Sequence, residues 1–358
     1  MFGSWSFWEE RREVPASTVK VAFDTRPASD PHGVGRYSRC LLAALRDTAA
    51  GGEEIVETHR PSSTARSRAA DVFHSPWISG AMLHSPCPMV VTVHSVAALK
   101  RRSEHLRAGL RLRLRHLAVQ RAVRVIATTH VLAEDAATHL GLERERITVI
   151  PEAADAAMYP RQGEEIAAAR AAFGLPAEYL VWVGGLQHPD PRRHIVELAG
   201  AARELPLVLV GSTRPWAHEL PNVILTGQVS DEELAAIYSG AHALVLPSEG
   251  EGFGLPAVEA LACGTPVVAF DAPALREVLG DRAEFVARSD MRALLAAAHA
   301  ARRPAPAPPK WSWGDAARAT WGVYADSLAA AAEPRSSTLL RPRRQSAGAA
   351  GIDGLEPQ

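Results

Sequence analysis

Apolar runs of four or five residues recur along this chain between longer stretches of helical periodicity, and no other feature limits its fold so strongly. The first half carries VKVAF, MVVTV, VRVIA and ITVI; the second carries YLVWV, LVLV, VILT, ALVL and PVVAF. A short, continuously apolar run bounded by turn residues reads as a strand buried on both faces. Strand and helix in alternation build doubly wound α/β sheets. The stretch EAADAAMYPRQG breaks the rhythm and reads as a linker, so two sheets are expected, one within residues 19–160 and one within 174–318. A chain of 358 residues is long enough to bury two such cores. Residues 1–18 form an N-terminal extension. The tail, 334–358, is rich in Ser, Pro, Arg and Gly, and disorder is expected there.

Composition removes several classes of function. Residues 1–170 carry 23 Lys/Arg against 19 Asp/Glu, and the remainder 16 against 21. Neither half is basic enough for a nucleic-acid binder. The three cysteines, Cys40, Cys87 and Cys263, are odd in number and include no C-x-x-C pair. A disulfide framework and a zinc cluster are therefore disfavoured, and a reducing, cytoplasmic compartment is expected. No apolar run approaches transmembrane length. The first eighteen residues contain acids and no continuous apolar segment, which makes a poor signal peptide.

The second half offers the sharpest local feature, EGFGLPAVE at 251–259. The run ALVL before it ends at Pro247-Ser248, Pro256 suits the first turn of a helix, and Gly264 suits its end. The motif thus occupies the loop at the carboxyl end of a strand, where open parallel sheets bind ligands. Gly252 and Gly254 let a ligand approach the backbone, and the N–H groups of Phe253, Gly254 and Leu255 suit an anion such as phosphate. Two carboxylates beside a phosphate are too costly to be its ligands. Glu251 and Glu259 are therefore read as acceptors for neutral hydroxyls, and the ligand as a phosphate compound with a sugar at each end. Such a site belongs in a cleft between domains, and the first half supplies a second glycine-rich segment. FDTRPASDPHGVGRYSRCLLAALRD reads as strand, loop with Gly33-Val34-Gly35, then amphipathic helix. A plain reversing turn is one alternative. The dinucleotide fingerprint is another, but Ser38 stands where its last glycine belongs and the loop is too long.

Taken together, these stretches resemble retaining glycosyltransferases of family 4, with the GT-B fold of two Rossmann-like domains facing a central cleft. PSEGEGFGLPAVEALACGTPVVA matches that family's E-x(7)-E signature. GVGRYSRCLLAAL, VVTVHS, ITVIPEAADAAMYP, TGQVSDEELAAIYSGA, DAPALREVLGD and WSWGDAARATWGVYADSL resemble its mannosyltransferase-like branch in the same order, over roughly Val19 to Ala329. The resemblance implies that Glu251 holds donor-sugar hydroxyls and Glu259 the ribose hydroxyls. It implies that Phe253, Gly254 and Leu255 give N–H groups to a diphosphate, that Gly33 and Gly35 face it from the other domain, and that Val229 contacts the nucleotide. His94, after VVTV, would contact the transferred sugar, although a histidine at a strand end is more often structural. Residues 19–160 would be the acceptor domain and 174–318 the nucleotide-sugar domain, with a helix at 314–333 crossing back to the first. The implied donor is GDP-mannose, and no metal or other cofactor is implied.

Three positions depart from the family pattern. Gly185 replaces the usual arginine after the first strand of the second domain, Ser95 replaces an aspartate, and Glu152-Ala153 replaces Asn-Gly. A leaving diphosphate needs cations, and Arg192 and Arg193 are the expected substitutes, since Arg forks onto phosphate oxygens; a solvated basic turn is the alternative. Between residues 100 and 124, Arg107, Arg111 and Arg115 form one stripe and Leu106, Leu110, Leu114 and Leu117 another. This is either an ordinary amphipathic helix or a basic face for anionic lipid at the inner side of the membrane. The expected reaction is metal-independent transfer of a hexosyl, first of all mannosyl, residue to a glycan or lipid-linked acceptor of the cell envelope. A catalytically weak nucleotide-sugar-binding subunit and a nucleotide-sugar epimerase are the rival readings.

Overall fold

The computed structural model describes residues 19–30, 33–59, 69–96 and 113–332. The extension 1–18, the tail 334–358 and much of the basic stretch, including Arg107 and Arg111, lie outside the described residues. Two six-stranded sheets are present, each parallel throughout. The first contains β1 (Lys20–Asp24), β2 (Glu54–Thr58), β3 (Val72–Ser75), β4 (Met89–Val93), β5 (Arg124–Ala127) and β6 (Ile147–Val149), in the order β2-β1-β3-β4-β5-β6. The second contains β7 (Leu180–Val183), β8 (Leu207–Val210), β9 (Val223–Gly227), β10 (Ala243–Leu246), β11 (Val267–Phe270) and β12 (Glu284–Val286), ordered β12-β11-β10-β7-β8-β9. The second order reverses between β7 and β10, which opens a crevice at their carboxyl ends. This is the GT-B arrangement, and the continuous apolar runs follow from it: every residue of β4, β8, β10 and β11 is buried because helices cover both faces.

Local chemistry sets the helix limits. Helix His130–Leu140 starts on Thr129, whose side chain accepts from Leu132 N–H, and stops at Gly141 in the left-handed region. Helix Asp231–Gly240 starts with a capping box between Ser230 and Glu233. Helix Gly33–Thr48 buries Leu41, Leu42 and Leu45 on the first sheet and leaves Arg46 and Asp47 to solvent.

The last helix, Trp313–Ala332, lies on the first sheet rather than the second. It packs along helix Gly33–Thr48, with Ala317, Trp321 and Tyr324 in that core. Helix Glu164–Phe173 follows directly on the linker stretch EAADAAMYPRQG and packs on helix Asp231–Gly240, so the second lobe begins before residue 174. Three strands, β2, β3 and β12, were not among the runs singled out above. Each is short or interrupted by polar residues, as in EIVET, VFHS and EFV.

Candidate active site

A cavity sits in the crevice where the second sheet reverses its order. Val183, Gly184 and Gly185 border it from the end of β7, Gly211 and Ser212 from β8, and Leu246 and Glu251 from β10. Helix Leu255–Ala262 starts at its edge. That helix has Pro256 in its first turn and no side-chain cap, so its N-terminal end is open to an anion. Gly254 begins it with φ 86°, a left-handed conformation that favours glycine. Among the residues singled out from the sequence, Gly33, Arg193, Val229, Glu251, Gly254, Leu255 and Glu259 all line this one cavity.

Glu259 is 1% exposed, one turn into the helix. Burial pushes its carboxyl up to about 7, opposed by the Arg36 guanidinium and helped by Asp231 and Asp155. Arg36 reaches it from helix Gly33–Thr48 of the first lobe, pairing Nε with Glu259 Oε1 and Nη1 with Asp231 Oδ1 at 2.6 Å. The Glu259 contact is a charge pair without good hydrogen-bond alignment, so Arg36 Nε and Glu259 Oε1 both lack a hydrogen bond. Arg39, one turn on, also borders the cavity and donates to the carbonyls of Ala28 and Asp30 at 2.8 and 2.9 Å. Neither arginine was singled out from the sequence. Arg36 lies inside GVGRYS, but a loop there gives an arginine no direction, and only the helix that starts at Gly33 aims it at the second lobe.

The two expected phosphate cations separate. Arg193 lines the cavity, with its guanidinium 5.9 Å from the Trp182 ring centre and Nη1 3.3 Å from the Gly185 carbonyl. Arg192 does not line it. Its Nε and Nη2 are held by the Asp190 carboxylate at 2.9 and 2.6 Å. The two residues share one tight turn, Pro191–Arg193, so their side chains leave in different directions. That turn is pinned to the loop after β10, where Glu249 N–H donates to the Arg192 carbonyl at 3.0 Å and His194 Nε2 meets Glu249 Oε1 at 3.0 Å.

One further expectation needs correction. Gly33-Val34-Gly35 is the first turn of a helix, not a loop. Gly35 is buried away from the cavity, and a Cβ there would lie 1.8 Å from the Asp30 carbonyl oxygen, so close packing accounts for the glycine. Phe253 turns its ring into the core, 5.8 Å from that of Trp311, which leaves only its backbone for a ligand. His94 stands across the cleft but outside the cavity lining. Its Nε2 donates to the Pro76 carbonyl at 2.9 Å, its Nδ1 faces Glu152 Oε1 at 3.3 Å, and Tyr37 stacks edge-on at 4.5 Å. Its backbone touches the second lobe, since a Cβ on Gly252 would lie 1.9 Å from the His94 carbonyl oxygen.

In chemical terms the cavity offers three cations, Arg36, Arg39 and Arg193, the uncapped N-terminus of helix Leu255–Ala262, and three carboxylates, Asp231, Glu251 and Glu259. Cations and helix end suit an anionic leaving group; the carboxylates suit hydroxyl donors. Among the described residues, no group of three or more His, Cys, Asp or Glu is placed to hold a metal ion.

Comparison with known proteins identifies the family. Residues 32–157 match the model described as Glycosyltransferase Family 4, and residues 177–301 match Glycosyl transferases group 1. A D-inositol 3-phosphate glycosyltransferase of Gordonia bronchialis is 30% identical over 314 residues, covering 74% of this chain and 68% of that protein. The enzyme of that name from Mycolicibacterium smegmatis is 35% identical over 230 residues, covering 56% and 51%. The chain spans about half the length of most of the curated relatives it matches. Among solved structures, a sucrose-phosphate synthase of Thermosynechococcus elongatus superposes with a TM-score of 0.67 at 22% identity, over 87% of this chain and 100% of that one.

Proposed function

The chain belongs to glycosyltransferase family 4, and from that premise we propose that it transfers a hexosyl residue from a nucleotide-diphosphate sugar with retention at the anomeric carbon. The observation that carries this reading is the meeting of Glu251, Glu259, Arg193 and the uncapped start of helix Leu255–Ala262 around one cavity. Glu259 would take the ribose hydroxyls and Glu251 the hydroxyls of the transferred sugar. The diphosphate would lie between Arg193 and the N–H groups at 253–255. Negative charge grows on the diphosphate as its bond to the anomeric carbon breaks, and a fixed guanidinium and helix end stabilise that charge. The departing phosphate oxygen takes the proton of the acceptor hydroxyl, which adds to the face being vacated. Configuration is thereby retained without a covalent enzyme intermediate and without a metal.

GDP-mannose is the donor we place first, on the strength of the motif resemblance. The acceptor is a glycan or a lipid-linked sugar. Residues 113–120 are helical and expose Leu114 and Leu117 beside Arg113 and Arg115, a composition that fits contact with anionic lipid at the inner face of the membrane. Among the described residues no helix is long and apolar enough to cross a membrane.

A thermal-shift screen of nucleotide-sugars tests the reading, because a ligand that binds only the folded state raises the melting temperature with its occupancy. GDP-mannose should raise it most, and Glu259→Ala should abolish the shift. A screen in which no nucleotide-sugar stabilises the wild type would refute the donor site.

A further inference from the structure

Arg36 crosses from the first lobe into the second, and the reaction as described above gives it no task. It is 9% exposed, and its Nη1 donates to Asp231 Oδ1 at 2.6 Å. Its Nε sits against Glu259 Oε1, and its Nη2 is buried without a hydrogen-bond partner beside the cavity. Two of its nitrogens thus face carboxylates of the second lobe, and the third stands at the cavity wall. An arginine of the first lobe that pairs with two cavity carboxylates of the second is in position to act on the group that binds the ligand.

We infer that Arg36 is a positioning residue for the donor: it holds the Glu259 carboxylate ionised and aimed into the cavity, so that ribose recognition on the second lobe depends on the first. The inference rests on the reading of this cavity as a nucleotide-sugar site. A ribose diol donates two hydrogen bonds and is best received by a charged carboxylate. The surroundings of Glu259 work against that charge. Asp231 faces it from helix Asp231–Gly240 and Asp155 from the linker. The Tyr238 hydroxyl donates to its Oε2 at 3.5 Å and so favours the charge, and the neutral thiols of Cys263, at the end of its own helix, and Cys40, on helix Gly33–Thr48, lie nearby. Burial and the two aspartates raise its pKa, and Arg36 is the cation opposing them. Charge on Glu259 is therefore conditional on an arginine that arrives from the other lobe.

The test is calorimetric titration of GDP-mannose and UDP-glucose between pH 6 and 9, a range in which their diphosphate diesters do not change charge. Wild-type affinity should fall as the pH drops through about 7, the value to which the Glu259 carboxyl is pushed. In Arg36→Met the fall should begin at least one unit higher. Binding at pH 7 is then weaker by at least about fivefold and recovers towards pH 9. Arg36→Lys should lie between the two. Asp231→Asn removes a negative neighbour and should move the fall to lower pH; its side chain is half-exposed, so this variant carries the test if Arg36→Met does not fold. Unchanged midpoints in all variants, or a loss in Arg36→Met that high pH does not reverse, would overturn the inference while leaving the donor site intact. Absence of binding by the wild type would overturn both.

Discussion

The guanidinium of Arg192 is folded back onto Asp190, whereas that of Arg193 lies over Trp182 at the cavity wall. A hydrogen bond to a charged group contributes about 1.5–3 kcal/mol, so Arg193→Ala should weaken donor binding by that amount and Arg193→Lys by less. Arg192→Ala should leave the dissociation constant near that of the wild type. Equal losses in the two variants, measured by calorimetry, would contradict the geometry. Two adjacent arginines in RR look equivalent in a sequence, because direction depends on a turn whose pitch no residue type announces. The glutamates were different. Their spacing, the glycines between them and Pro256 place both on one strand-loop-helix unit from the sequence alone.

Helix Trp313–Ala332 is tied to the first sheet by more than apolar packing. Tyr324 Oη lies 2.6 Å from His74 Nδ1, His74 Nε2 lies 2.9 Å from Thr92 Oγ1, and Thr92 in turn meets Tyr37 Oη at 3.1 Å. All four are fully or almost fully buried, and the chain ends at the ring stacked on His94. Tyr324→Phe leaves one polar atom of His74 unpaired and should cost about 1–3 kcal/mol in denaturant unfolding. Burial pulls the His74 imidazole down to about 3, assisted by the charge of His94, so the folded protein keeps it neutral. An unfolded chain takes up a proton near pH 6.5 that the folded chain refuses until about 3. The contribution of His74 to stability is therefore whole above pH 6.5 and falls by about 1.4 kcal/mol per unit below it. His74→Asn should flatten that part of the acid limb; an unaltered slope would show that His74 is not the group responsible. This network was hidden in the sequence for a simple reason. VFHS reads as a strand only if its histidine can be buried, and the partner that makes burial tolerable lies 250 residues away.

Across the whole molecule, the lobes meet at the Arg36 pairs beside the cavity and around the start of helix His130–Leu140. The Glu277 carboxylate of the second lobe accepts from His130 and Val131 N–H at 2.7 and 2.9 Å, capping a first-lobe helix. Thr129 Oγ1 donates to the Gly252 carbonyl at 3.2 Å, and Gly252 lies flat against the His94 backbone. Gly252→Ala would force these surfaces apart. Donor affinity should change little, because Gly252 is outside the cavity lining, while transfer should fall about a hundredfold as the reacting groups separate. Small-angle scattering should then show a larger radius of gyration for Gly252→Ala and for Glu277→Ala; wild-type dimensions together with wild-type transfer would mean that the lobe contact has no part in the reaction. The two-lobed plan was legible because strand runs and helix caps are local. The contacts between lobes were not, since each joins residues that only the completed fold brings together.

The central claim is that the cavity between β7 and β10 binds a nucleotide-sugar and breaks its bond to the diphosphate. Release of nucleoside diphosphate from the donor selected by thermal shift tests it most directly, with wild type and Glu251→Ala measured side by side. The wild type should release the diphosphate, faster when acceptor is present, and Glu251→Ala should stay folded yet release it at least about a hundredfold more slowly, because the sugar is no longer held in line. No release by the wild type from any nucleotide-sugar, or equal release by the two proteins, would contradict the account.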